Sequence, residues 1–391
     1  MRILYLIPSL DGSGGAEQAV AALAGPLTAR GVGLEVVTLA PTPGPGTHGD
    51  LTARVESAGA TVATLAPSRL PGPLGRAELA VRVAALVRDR RPDLVHTTLF
   101  DADLVGRTGG WAARVGVVSS LVNVAYGPEQ RANPAITPWK LDLVRRADRA
   151  TARVVRRFHA LSPHVAEVMG PRLGIGPERI DVIPRGRDAA ALGPSDQARR
   201  ARVRAELGIA PDQVLVLAAA RHEFQKGLDV LVAAWPTIRA GRPDAQLLIG
   251  GRRGAQTPQL QRLTAAQGPD AGIAWLGRRD DVADLLMACD AFVMPSRWEG
   301  FGSILVEAMA LGANVVASDV GPIPEVAGSG WARLVPPQDP GALGAAVIEA
   351  LDQDPSERRR RAEAGHRRFA STYDLEVVAD ATVAFYRRAL G

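Results

Sequence analysis

Thirteen short apolar runs, each separated from the next by a longer stretch with helical spacing, confine this chain to parallel βα units. The runs are residues 2–8, 34–40, 60–66, 93–98, 116–124, 158–162 and 180–184, then 213–220, 245–251, 273–277, 291–296, 314–319 and 331–337. Such runs suit strands covered on both faces by helices. Between the seventh and eighth runs the chain turns polar, rich in arginine and punctuated by Gly and Pro, which puts a domain boundary near residues 187–195. The expectation is α/β: two doubly wound, Rossmann-like domains, 1–190 and 191–371, facing each other across a cleft. The length of 391 residues agrees, since a single core stops growing at about 250 to 300 residues. Ligands of such sheets bind beyond the carboxyl ends of the strands, so the residues that follow each run are where chemistry is to be sought.

The rest of the composition narrows the function. Cys289 is the only cysteine and the six histidines are scattered, which excludes an intrachain disulfide and offers no metal cluster. The opening segment MRILYLIPSLDGSGG lacks the pattern of a signal peptide, and no apolar stretch reaches the roughly 18 residues of a membrane span. The expectation is a cytoplasmic protein, at most peripheral at the inner face of a membrane. Residues 136–160 carry seven of the basic groups (Lys140, Arg145, Arg146, Arg149, Arg153, Arg156, Arg157) against Asp142 and Asp148. As one helix, this segment puts Arg145, Arg149, Arg153 and Arg156 on one stripe and Leu143, Ala147, Val154 and Phe158 on another. It then docks on an anionic membrane, attracts an acidic acceptor, or packs as an ordinary surface helix. No aromatic residues interleave the basic stripe, which argues against nucleic acid.

Three post-strand segments carry candidate chemistry. After the first run, Gly14 and Gly15 open a helix with amides that can approach an anion, although Glu17 stands where a dinucleotide fingerprint needs its third glycine. After the eighth, Arg221 and Lys226 bracket a loop before a helix beginning near Gly227. Only Lys140 and Lys226 are lysines among the 46 basic residues, so the pairing of a guanidinium fork with a point charge suits a diphosphate. After the eleventh comes SRWEGFGSILVEAMALG, with Glu299 in the turn and Glu307 one helical turn after Ser303. Ser303 is expected to cap that helix, and the amides of Gly302, Ser303 and Ile304 to meet a phosphate. Sugar hydroxyls on Glu299, a diphosphate on Arg221, Lys226 and the amides, and ribose hydroxyls on Glu307 together describe one ligand, a nucleotide sugar.

On GGAEQ, RHEFQKGLDVL, EGFGSILVEAMALG and ASDVGPIPEV, the sequence resembles the retaining glycosyltransferases of family 4, with the GT-B fold, over nearly its whole length. The resemblance implies a hexosyltransferase moving sugar from a UDP- or GDP-linked donor to a hydroxyl acceptor, be it a small molecule, a glycan or a lipid-linked sugar. It implies that Arg221 and Lys226 hold the donor diphosphate, that Glu299 meets the donor sugar and that Glu307 binds the ribose. Gly300, Phe301 and Gly302 complete that loop. The backbone near Arg278 contacts the base, and residues 372–391 return to the first domain as a helix. No metal or other cofactor is implied. Asn123 stands at or near the position where many members carry a His, and Arg185 where members often have Asn. Two other outcomes of the same fold stay open: a donor-binding partner subunit, and an epimerase or hydrolase of sugar nucleotides.

Overall fold

All thirteen apolar runs are strands in the computed structural model, which describes residues 1–12, 14–41, 51–133 and 136–391. They fall in two compact units, one made of Met1–Asp188 with Thr372–Gly391 and the other of Ala189–Ser371.

The first unit holds β1 (Arg2–Ile7), β2 (Gly33–Thr38), β3 (Thr61–Thr64), β4 (Leu94–Thr98), β5 (Gly116–Leu121), β6 (Arg157–Ala160) and β7 (Ile180–Val182). They form one parallel sheet in the order β3-β2-β1-β4-β5-β6-β7. Every residue of the central β4 and β5 is buried, which explains why these runs are continuous rather than alternating. One face is closed by helices Gly15–Ala29 and Leu375–Leu390, whose Val20, Ala24, Val378, Val383 and Phe385 join Ile3, Val36 and Leu94 in one core.

The second unit holds β8 (Val214–Ala219), β9 (Ala245–Gly250), β10 (Ile273–Gly277), β11 (Ala291–Met294), β12 (Val315–Ser318) and β13 (Arg333–Val335), parallel in the order β10-β9-β8-β11-β12-β13. Strand order reverses between β8 and β11. That is where loops leave in opposite directions and open a crevice at the carboxyl edge.

The basic segment departs from expectation. Its helix spans Pro138–Ala152 and the chain then enters β6, so Arg153, Val154, Arg156 and Phe158 are not on it. Pairing of Arg157 and Phe158 with Val118 and Ser119 of β5 outweighs the helical spacing. The inner face is Leu141, Asp148 and Ala152, whereas Trp139 and Leu143 are 64% and 59% exposed. The helix is anchored by charge: buried Arg107 reaches Asp148 at 2.5 Å and Asp103 at 3.4 Å.

Candidate active site

Two loops meet at the reversal between β8 and β11. The first leaves β8 through Arg221, forms a single 3-10 turn at Phe224–Lys226, and enters helix Leu228–Gly241 through Gly227. Gly227 has φ 60°, and a Cβ there would lie 2.0 Å from the Pro295 carbonyl oxygen. Only glycine allows both the left-handed turn and this approach. The second loop leaves β11 through Pro295 and reaches helix Ser303–Ala310.

Their contact joins two candidates picked from distant parts of the sequence. Lys226 Nζ lies 2.6 Å from Glu299 Oε1, and Ser296 Oγ donates to the same oxygen at 2.7 Å. Glu299 and Ser296 are both buried, so the carboxylate is held by an ion pair and a hydroxyl instead of by water. A buried carboxylate requires such partners.

A second clamp holds the loops in register. Arg297 makes two bonds to Asp229, of 2.8 and 2.7 Å, donates to the Phe224 carbonyl at 2.9 Å, and lies over the Phe224 ring at 4.2 Å. Gln225 Nε2 donates to the Trp298 carbonyl at 2.9 Å. Ser296, Arg297 and Asp229 were not singled out in the sequence, although all three lie within or beside the motifs that were. Arg297 and Asp229 are partners 68 residues apart along the chain, which no local pattern encodes, whereas Ser296 bonds Glu299 three residues on.

The helix start differs from expectation in one respect. Gly302 is the cap, in the left-handed region at φ 79°, and Ser303 is the first helical residue. A left-handed cap favours glycine over serine, and a Cβ on Gly302 would meet Ile323 at 2.8 Å. Gly300, Phe301 and Gly302 are buried, while Ser303, Ile304 and Glu307 are half-buried. Arg221 is exposed at the end of the β8 segment, and Arg278 is exposed after β10, 3.4 Å from Asp280.

The first unit holds the remaining candidates. Asn123 is exposed in the segment after β5. Gly14 caps helix Gly15–Ala29, but its amide donates to Glu17 Oε2 at 2.9 Å, and Ser9 donates to Oε1 at 3.1 Å. The Gly14 amide thus meets a carboxylate of its own chain. Burial holds the Glu17 carboxyl above its usual range, with the Gly14 amide acting against that shift.

Residues 14–186 match the family model for a Glycosyl transferase 4-like domain, and residues 199–368 match that for Glycosyl transferases group 1. The glycogen synthase of Mycobacterium tuberculosis is 30% identical over 335 residues, which cover 80% of this chain and 72% of that relative. The chain belongs to the group 1 glycosyltransferases. A D-inositol 3-phosphate glycosyltransferase of an Arthrobacter species is likewise 30% identical, over 90% of this chain and 85% of its own length. The crystal structure of Anabaena HepE in complex with UDP and glucose superposes with a TM-score of 0.84 at 22% identity, covering 99% of both chains. This group 1 transferase thus has the GT-B fold and is a retaining hexosyltransferase of family 4 that uses a nucleotide sugar. Among its described residues no helix is long and apolar enough to cross a membrane.

Proposed function

We propose that the protein transfers a hexose from a UDP- or GDP-linked donor to a hydroxyl acceptor without a metal ion, and that the Lys226–Glu299 contact at the strand-order reversal is the centre of the donor site. Lys226 and Arg221 bring positive charge to the diphosphate, and it is there that negative charge grows as the sugar departs. The Ser303 and Ile304 amides at a helix N-terminus add to that field. Both recorded contacts of Glu299 use Oε1, so Oε2 is the oxygen that meets the sugar. Glu307 takes the ribose hydroxyls, and Arg278 marks the base end.

The first unit receives the acceptor. Asn123 hydrogen-bonds the donor sugar without exchanging a proton near neutral pH. A glycogen synthase and a D-inositol 3-phosphate glycosyltransferase among the chain's relatives support a hydroxyl acceptor. Trp139 and Leu143 share the exposed stripe of their helix with Arg146, and Lys140 Nζ lies 5.7 Å from the Trp139 ring centroid. That combination supports peripheral contact with an anionic membrane and hence a lipid-linked acceptor.

The test is a panel of nucleotide sugars against melting temperature, with Lys226→Ala and Glu307→Ala alongside the wild type. One donor raises the wild-type midpoint, and both variants lose the shift. A panel with no shift at all would sink the reading. A shift accompanied by free or epimerised sugar without acceptor favours the hydrolase or epimerase, and one without turnover on any acceptor favours the partner subunit.

A further inference from the structure

The segment that leaves β5 with Asn123 carries a strained residue three positions on. Tyr126 lies in the left-handed region at φ 66°, which a side chain this bulky rarely adopts and which glycine or asparagine meets at less cost. Such strain persists only where the surroundings over-determine it. A turn alone would not keep tyrosine here, so the side chain is held by something further.

What holds it is a buried ion cluster. Tyr126 Oη donates to Asp148 Oδ2 at 2.8 Å, and the other oxygen of that carboxylate takes Arg107 Nη1 at 2.5 Å. Arg107 is fully buried, lies 3.4 Å from Asp103, and donates through Nε to Ser119 of β5 at 2.9 Å. The phenol is thus tied to the strand from which Asn123 emerges. Burial, with the Asp148 charge next, raises the phenol well above its ordinary value, which keeps it a donor. Its neighbours are gripped as well: the Tyr126 amide donates to Gln130 Oε1 at 2.7 Å, the Ala125 amide lies 3.3 Å from Met169 Sδ, and Arg172 donates to the Ala125 carbonyl at 2.5 Å. Asn123, two residues before these anchors, is exposed.

We propose that Tyr126 is a positioning residue for the transfer, its bond to Asp148 setting the turn after β5 so that Asn123 meets the donor sugar. This rests on the reading above that Asn123 hydrogen-bonds that sugar, and deepens it. The phenol then affects how the sugar is held and not the nucleotide, and it does so only while Asn123 is present.

Isothermal titration of the full chain with UDP, UDP-glucose, GDP and GDP-mannose tests it, in wild type, Tyr126→Phe, Asn123→Ala and the double variant. Phenylalanine keeps the ring and loses the bond. Tyr126→Phe is expected to weaken binding of the nucleotide sugar about fivefold to tenfold, the loss of one hydrogen bond, with its bare nucleotide bound as before. Asn123→Ala does the same, and adding Tyr126→Phe to it costs nothing more, the non-additivity of two residues that act as one. Gln130→Ala, which releases the Tyr126 amide without touching the buried cluster, should move the same ratio in the same direction. A tyrosine with a merely structural role would lower the melting temperature and leave the ratio of nucleotide sugar to nucleotide intact. That result, or a tyrosine effect of full size in the Asn123→Ala background, would overturn the proposal. So would an Asn123→Ala variant with the wild-type ratio, since Tyr126 would then have nothing to place. Failure of all four ligands to bind would instead remove the donor reading itself, and this inference with it.

Discussion

Two clusters of buried polar groups, one in each unit, are built in opposite ways. In the first, four side chains and a carbonyl form a closed, directional chain. His159 Nε2 lies 2.6 Å from the Ile183 carbonyl and must donate to it, so Nδ1 accepts from Ser120 at 3.0 Å. Ser120 in turn accepts from His96 Nε2 at 2.7 Å, and His96 Nδ1 accepts from Tyr386 Oη at 2.8 Å. One helix and three strands are tied together with every proton assigned and both histidines neutral. In the second unit, the ion pair of Lys226 and Glu299 and the unpaired His222 Nε2 sit at strand ends. A network that satisfies itself is scaffold; groups left charged or unpaired at a strand-order reversal are there for something else.

Three experiments test that contrast. Removing the ion pair with Lys226→Ala is expected to cost about a hundred- to a thousandfold in the transfer rate, measured as product formed per folded molecule. A loss of less than fivefold would return Lys226 to the scaffold.

Acid acts on the first unit. His159 is pushed down from 6.5 to about 4 by burial, the Ile183 bond only partly opposing it, and His96 is also well below its ordinary value. The unfolded chain therefore takes up these protons first. The stability is complete above pH 6.5 and is lost as pH falls toward 4, by about 3 kcal/mol for His159 alone. Asp103 opposes this. Burial raises it from 3.8 to about 6, with Arg107 acting against the shift, so its contribution is full below 3.8 and is lost as pH rises through 6. The two histidines outweigh it, and urea unfolding between pH 7 and 4 should show falling stability, more steeply in Asp103→Asn. A flat profile in that variant would mean the histidine chain is not what acid breaks.

The smallest effect concerns the outer stripe of helix Pro138–Ala152. Trp139→Ser combined with Leu143→Ser should weaken binding to vesicles containing anionic lipid about tenfold while leaving donor binding intact. Equal sedimentation of wild type and variant with such vesicles would end the membrane reading.

The same contrast explains what could be read from the sequence. Strands were legible because burial on both faces writes them as apolar runs, and the charged loops because Arg221, Lys226, Glu299 and Glu307 follow those runs. The Arg297–Asp229 clamp and His222 were not, since each owes its contacts to a partner on another element, and neither was Ser296, whose bond to Glu299 exists only once the turn between them has formed. Helical spacing of the charges continues past Ala152, so the sequence alone extends the helix after residue 137 too far. Only pairing with β5 reveals that Arg157 and Phe158 belong to the sheet. Propensity favours Ser303 as the cap, but the left-handed turn and the approach of Ile323 give that position to Gly302.

Helix Leu375–Leu390 also imposes an order of events in time. It buries Val378, Val383, Phe385 and Tyr386 in the first unit, yet a ribosome makes it only after the whole of Ala189–Ser371. At roughly 5 to 20 residues per second, the face awaiting this helix stays uncovered for on the order of ten seconds or more, and His96 lacks its tyrosine throughout. The second unit, contiguous in the chain, can finish folding first. The nascent protein thus completes its second unit before the unit that closes around Tyr386.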